Sequence, residues 1–119
     1  LILDVQATVR LNPPAGTGPE VAVSVRDMSL SGLQLAAHSL PAGYLEALRP
    51  HERNLQLVLA GVGDVYDLGA MLAWTRAAGA ETLLGLEFFD RSKEEVRRLY
   101  RVLLMKGEHQ VSKPPKPAK

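Results

Sequence analysis

The sequence predicts an all-β fold: a six-stranded antiparallel β-barrel followed by a C-terminal amphipathic helix. Three observations carry this expectation. Six short runs between Leu3 and Phe88 alternate apolar and polar residues with a period of two, the pattern of half-buried strands. Turn-forming residues separate most of the runs, and closing such a sheet removes the edges that invite aggregation. After Ser92 the apolar spacing changes to three and four, the period of a helix.

The first strand is the plainest. Leu3, Val5, Ala7, Val9 and Leu11 share one face, and Asp4, Gln6, Thr8 and Arg10 share the other. Asn12 to Pro19 holds three prolines and two glycines in eight residues, which makes a loop. Val21 to Arg26 reads as the second strand and Gly32 to Ala37 as the third. Between them stand Asp27, Ser29, Ser31 and Gly32. Asp and Ser side chains bond to nearby backbone N–H groups, and Gly accepts φ > 0, so this is the chemistry of a hairpin corner. Pro41 to Leu48 reads as a short helix capped by Ser39 and stopped by Pro50.

Leu55, Leu57 and Leu59 mark the fourth strand, and Ala60 to Asp64 a turn. Val65 to Trp74 is the fifth strand, with Leu68, Ala70, Leu72 and Trp74 in phase, which puts Trp74 in the barrel core. Arg76 to Glu81 reads as a hairpin loop. Thr82 to Phe88 is the sixth strand, with Leu84, Leu86 and Phe88 in phase. Ser92-Lys93-Glu94-Glu95 is a capping-box sequence that opens a helix reaching Met105. Val96, Leu99, Tyr100, Leu103 and Leu104 form its apolar stripe, and Arg97, Arg98 and Arg101 its other face. Gly107 is the expected stop. Ser112 to Lys119, with three prolines and three lysines, reads as a disordered tail. The domain is placed at residues 1–106 and the tail at 107–119.

A chain of 119 residues suits one domain with a modest core, and aromatics at 5% make that core aliphatic. The absence of cysteine rules out disulfides, thiol nucleophiles and zinc–cysteine sites, and fits a reducing compartment, so a cytoplasmic location is expected. A net charge of +1 gives no general pull toward a nucleic-acid polymer or anionic lipid. No apolar run approaches the roughly 20 residues that span a bilayer. The first residue is Leu rather than Met, so the sequence reads as a piece of a longer chain. His38, His51 and His109 lie apart, without metal-ligand spacing. Asp64 and Asp67 flank a hairpin and read as turn and edge residues. Gly61-Val62-Gly63 lacks the Gly-Lys-Ser/Thr of a phosphate loop. Ser29 and Ser31 have no histidine nearby in sequence. No catalytic constellation assembles, so an enzyme is not expected.

Asp27, Ser29 and Gly32 match a D/N-x-S-x-x-G signature, and the stretch resembles that of the PilZ domain family. Gly69-Ala70-Met71-Leu72-Ala73-Trp74 is similar to the family's G-x-V-x-W strand, and Gly85-Leu86-Glu87-Phe88 to its G-V-x-F strand. Order and spacing agree, and a helix follows, as in the family. The resemblance spans residues 3–104. It implies a six-stranded barrel with a C-terminal helix, and a site for the bacterial second messenger cyclic di-GMP at Asp27, Ser29 and Gly32. Such domains usually carry an R-x-x-x-R pair just before the first strand, whose arginines grip guanine and phosphate. No such pair stands in this sequence, where its place falls at or before Leu1 and Ile2, so either the sequence begins inside the motif or the domain lacks it. Arg10, Arg26 and Arg76 are the remaining candidate cations.

The resemblance therefore implies a non-catalytic signalling module without a cofactor. It senses cyclic di-GMP and passes the signal to a protein partner or neighbouring domain. The alternative is a PilZ-type domain that has lost the nucleotide and binds protein only. A small-barrel nucleic-acid binder is a distant third, disfavoured by near-neutral charge and few aromatics.

Overall fold

The computed structural model describes residues 2–14, 16–89 and 93–111. Six antiparallel strands close one barrel: β1 (Ile2–Asn12), β2 (Glu20–Met28), β3 (Gly32–Ala37), β4 (Leu55–Ala60), β5 (Tyr66–Ala78) and β6 (Glu81–Phe88). A short helix, α1 (Tyr44–Leu48), connects β3 to β4, and α2 (Lys93–Val111) follows β6. Around the barrel the strands run β1-β2-β3-β6-β5-β4. β1 to β3 and β4 to β6 are two three-stranded meanders, and the pairings β3–β6 and β4–β1 seal them into a ring.

The interior is aliphatic, as the composition predicts. Leu11, Val25, Leu35, Leu57, Leu59 and Leu84 are fully buried, with Tyr66 the largest side chain among them. α2 packs against β1 and β5. Its Val96, Leu99 and Leu103 join the core, so the helix stripe continues the barrel interior. An arginine pins the same seam from outside. Arg98 donates to Asp64 at 2.8 Å and to Glu95 at 2.7 Å, and its guanidinium carbon lies 4.4 Å from the centre of the Tyr66 ring. Among the described residues no helix is long and apolar enough to cross a membrane.

Five local expectations change. Pro41 and Ala42 make a turn, with the Tyr44 N–H donating to the Pro41 carbonyl at 3.1 Å, so α1 starts only at Tyr44. Gly43 rather than Ser39 is its N-cap, in the left-handed region. Pro50 does not end the segment: it sits in the first turn of a 3-10 helix (Arg49–His51), where its missing N–H is not needed. Arg76 is not in a loop, because β5 runs on to Ala78. α2 passes through Gly107 to Val111; glycine weakens a helix by about 1 kcal/mol but does not by itself break one. The Ser92 cap and the tail at 112–119 lie outside the described residues.

Candidate ligand-binding face

Two register shifts shape one outer face of the barrel. On β2, Val21, Val23 and Val25 point inward, but the next inward residue is Met28, because the pairing with β3 shifts between Val25 and Asp27. The extra residue sends both Arg26 and Asp27 outward, as a β-bulge does. On β5, Tyr66, Leu68, Ala70 and Leu72 are buried in phase, and the pairing with β6 shifts between Leu72 and Trp74. Trp74 is thereby turned out of the core. It is 42% exposed, which corrects its assignment as a core tryptophan.

The shifted registers line up one row across four strands. Asp27 pairs with Gln34, Gln34 with Gly85, and Gly85 with Trp74. Gly85 is small for a reason: a Cβ there would stand 2.2 Å from Cε2 of the Trp74 indole. The ring thus lies flat over the strand, and its far side faces solvent. Along the neighbouring row, a Cβ on Gly32 would stand 2.3 Å from the Leu86 carbonyl oxygen. Gly32 is therefore required for close approach of β3 to β6, whereas the sequence reading gave it the role of a φ > 0 turn residue. No positive φ is found there.

The β2–β3 corner is held by its own polar groups. The Ser29 N–H donates to the Gly32 carbonyl at 2.9 Å. The Ser29 hydroxyl accepts from the Ser31 N–H at 3.2 Å and lies 3.0 Å from the Ser31 hydroxyl. Between corner and indole lies a shallow cleft of about 210 Å³, lined by Asp27, Ser29, Gly32, Gln34, Trp74, Gly85 and Glu87 among others. The fold therefore brings together the signature residues and Trp74. The signal for Trp74 was present in the sequence: Arg76 shares its phase, and an inward Trp74 would have buried a charge.

Of the three cations named from sequence, Arg10 and Arg26 point elsewhere. Arg10 pairs with Glu20, at the far end of β2 from Asp27, roughly 20 Å away at about 3.3 Å per residue. Its guanidinium donates to the Gly18 carbonyl at 2.9 Å. Arg26 lines a separate hollow with Asp4, Ser24 and His38. It forms a fork on Glu81 at 2.6 and 3.3 Å and lies 3.6 Å from Asp4. The hydrogen bond to Arg26 holds the Glu81 carboxyl below its ordinary range, and His38 Nε2 lies 3.1 Å from the same carboxylate.

A larger cavity, about 640 Å³, opens beside Asn12, Gln56 and Asp67. Its polar groups are occupied with one another: Asn12 donates to Gln56 at 3.0 Å, and Gln56 to Asp67 at 2.9 Å. Among the described residues no arginine or lysine lines it. Size alone makes it the leading pocket; its chemistry does not suit an anion.

Comparison with known proteins agrees with the fold. The family model described as PilZ domain matches residues 3–105. No curated protein matches the chain. Among solved structures, the PilZ domain with c-di-GMP of YcgR from Escherichia coli is similar, at 14% identity and a TM-score of 0.57, with 94% of this chain and 95% of that chain covered. With a closed six-stranded barrel, a C-terminal helix and a family match over nearly the whole described fold, this chain belongs to the PilZ domain family.

Proposed function

We propose that this domain is a non-catalytic receptor for cyclic di-GMP, acting in the cytoplasm and relaying occupancy to a protein partner or an adjoining domain. The observation that carries the reading is the cleft itself: two register shifts bring Asp27, Ser29 and Gly32 opposite an exposed indole. Each group has a use toward a guanine dinucleotide. A carboxylate such as Asp27 accepts from the N–H donors on the guanine edge. The Ser29 and Ser31 hydroxyls at the corner suit phosphate oxygens. An exposed indole stacks on a purine, worth roughly 1–3 kcal/mol per base. The solved relative carries c-di-GMP on the same fold, which supports the reading.

Among the described residues, those lining the cleft include two carboxylates, Asp27 and Glu87, and no cation. That observation favours the second reading, a PilZ-type domain that binds protein only. It also sets the expected affinity. Half a site, lacking two charge-assisted contacts of roughly 1.5–3 kcal/mol each, binds about two to four orders of magnitude more weakly than a complete one. We expect cyclic di-GMP to bind this chain in the high micromolar range, about 100 µM as an order of magnitude. Isothermal calorimetry tests this. Saturable heat that disappears in Asp27→Ala supports the receptor; a flat titration at millimolar ligand supports the protein-only reading.

A further inference from the structure

The proposed receptor face needs a positive charge, and among the described residues one arginine named from the sequence is placed to supply it. Arg10 lies at the wrong end of the barrel. Arg26 is committed to Glu81 and Asp4, so its charge is already matched. Arg76 differs on both counts. It stands two residues beyond Trp74 on the same outward face of β5, paired with Leu83, two register positions along from the Trp74–Gly85 pair. Its guanidinium carbon lies 5.7 Å from the centre of the indole. Its side chain is exposed, and no carboxylate of the described residues lies within ion-pair distance of it.

We propose that Arg76 is the specificity-determining cation of this face, gripping a phosphate of a guanine dinucleotide whose base lies on Trp74. The inference rests on the receptor reading above. The geometry suits the task because a guanidinium does two things at once. It stacks on an aromatic plane through its face, and it donates two parallel N–H bonds to phosphate oxygens through its edge. The contact with Trp74, 5.7 Å from the ring centre, restrains the side chain before ligand arrives, so less freedom is lost when the base takes the ring and the guanidinium turns its edge to the phosphate. Lysine offers charge without the fork. The carboxylates of Asp27 and Glu87 line the cleft and Arg76 stands outside it beyond Trp74, so the charges divide: acceptors toward the base edge, the cation toward the phosphate.

The chain has a single tryptophan, so intrinsic fluorescence reports on this face alone. The 119-residue chain is titrated with cyclic di-GMP at several salt concentrations, alongside Arg76→Ala, Arg76→Lys and Asp27→Ala. We expect half-saturation in Arg76→Ala to rise by about ten- to a hundredfold, the loss of one charge-assisted contact, with Arg76→Lys between it and the parent. The salt dependence of binding should also flatten in Arg76→Ala, which loss of a merely structural contact would not produce. Binding in Arg76→Ala within twofold of the parent, with Asp27→Ala defective, overturns the role of Arg76 and leaves the receptor intact. No fluorescence change in the parent at millimolar ligand overturns the receptor reading and this inference with it.

Discussion

The outer face at Trp74 and the seam beneath α2 are each built around an arginine set against an aromatic ring, and the two pairs have opposite fates. At the seam, Arg98 lies 4.4 Å above Tyr66, and both arms of its guanidinium are taken by Asp64 and Glu95. Tyr66 itself is 1% exposed. At the face, Arg76 lies 5.7 Å from the centre of the Trp74 ring, Trp74 is 42% exposed, and no carboxylate of the described residues holds the guanidinium. The same pair of residue types closes a structure in one place and leaves recognition capacity in the other. What separates them is whether carboxylates answer the cation. A cation whose donors are filled holds elements together; one with donors left over has something to offer a ligand.

The comparison breaks most sharply on stability. Leu99→Ala in the seam should cost about 2–5 kcal/mol, because Leu99 is fully buried between helix and barrel. Trp74→Ala should cost clearly less while abolishing the ligand response. Denaturant melts of both variants, paired with calorimetry, check the contrast. A change within the noise of the melt for Leu99→Ala would mean that α2 is undocked.

A second contrast lies between two glycines of the face itself. In Gly32→Ala the new methyl meets the Leu86 carbonyl, which is backbone and cannot swing aside, so the β3–β6 ladder must shift. A cost of about 1–3 kcal/mol is expected. In Gly85→Ala the new methyl meets only the indole of Trp74. The ring should lift away, shifting its emission and weakening cyclic di-GMP binding, with a smaller change in the melt. Emission spectra and melts of the two variants separate these outcomes.

The smallest effect is at the charged rim of the seam. The Val65 N–H first, and Arg98 second, hold the Asp64 carboxyl below its ordinary value. A depressed carboxyl contributes stability above its unfolded-state pKa, near 4, and loses it as pH falls through the depressed folded-state value. The parent should therefore lose part of its seam stability in acid, and Asp64→Asn should flatten that part of the profile. Thermal melts from pH 7 down to pH 3 measure it. Arg76 has no such partner among the described residues, so Arg76→Ala should leave the acid limb unchanged.

Period-two patterning located all six strands, and the change of period located α2. Hydrophobic spacing reports burial directly, so these elements were legible. The bulges were not, because one inserted residue changes the face of everything after it without changing composition. Trp74 went astray for that reason: counted in twos from Leu72 it falls inward, and the shift turns it out. The two adjacent polar residues Arg26 and Asp27, followed by buried Met28, were the matching trace on β2. Gly32 was recognised as part of a signature, but its cause, the approach of the Leu86 carbonyl, lies 54 residues away in the chain and is invisible to local reading. Of the candidate site, Asp27, Ser29 and Gly32 come together as the sequence suggested. Arg10 and Arg26 do not join them, since long-range pairing with Gly18, Glu81 and Asp4 decides where those side chains go.

The most direct test of the account is where cyclic di-GMP perturbs the amide NMR spectrum of the chain. Binding at the proposed face should shift the amides of Asp27, Ser29, Gly32, Gln34 and Gly85 and the indole N–H of Trp74, and leave Leu99 and Leu103 unmoved. Shifts centred instead on Asn12, Gln56 and Asp67 would place the ligand in the larger cavity and contradict the account.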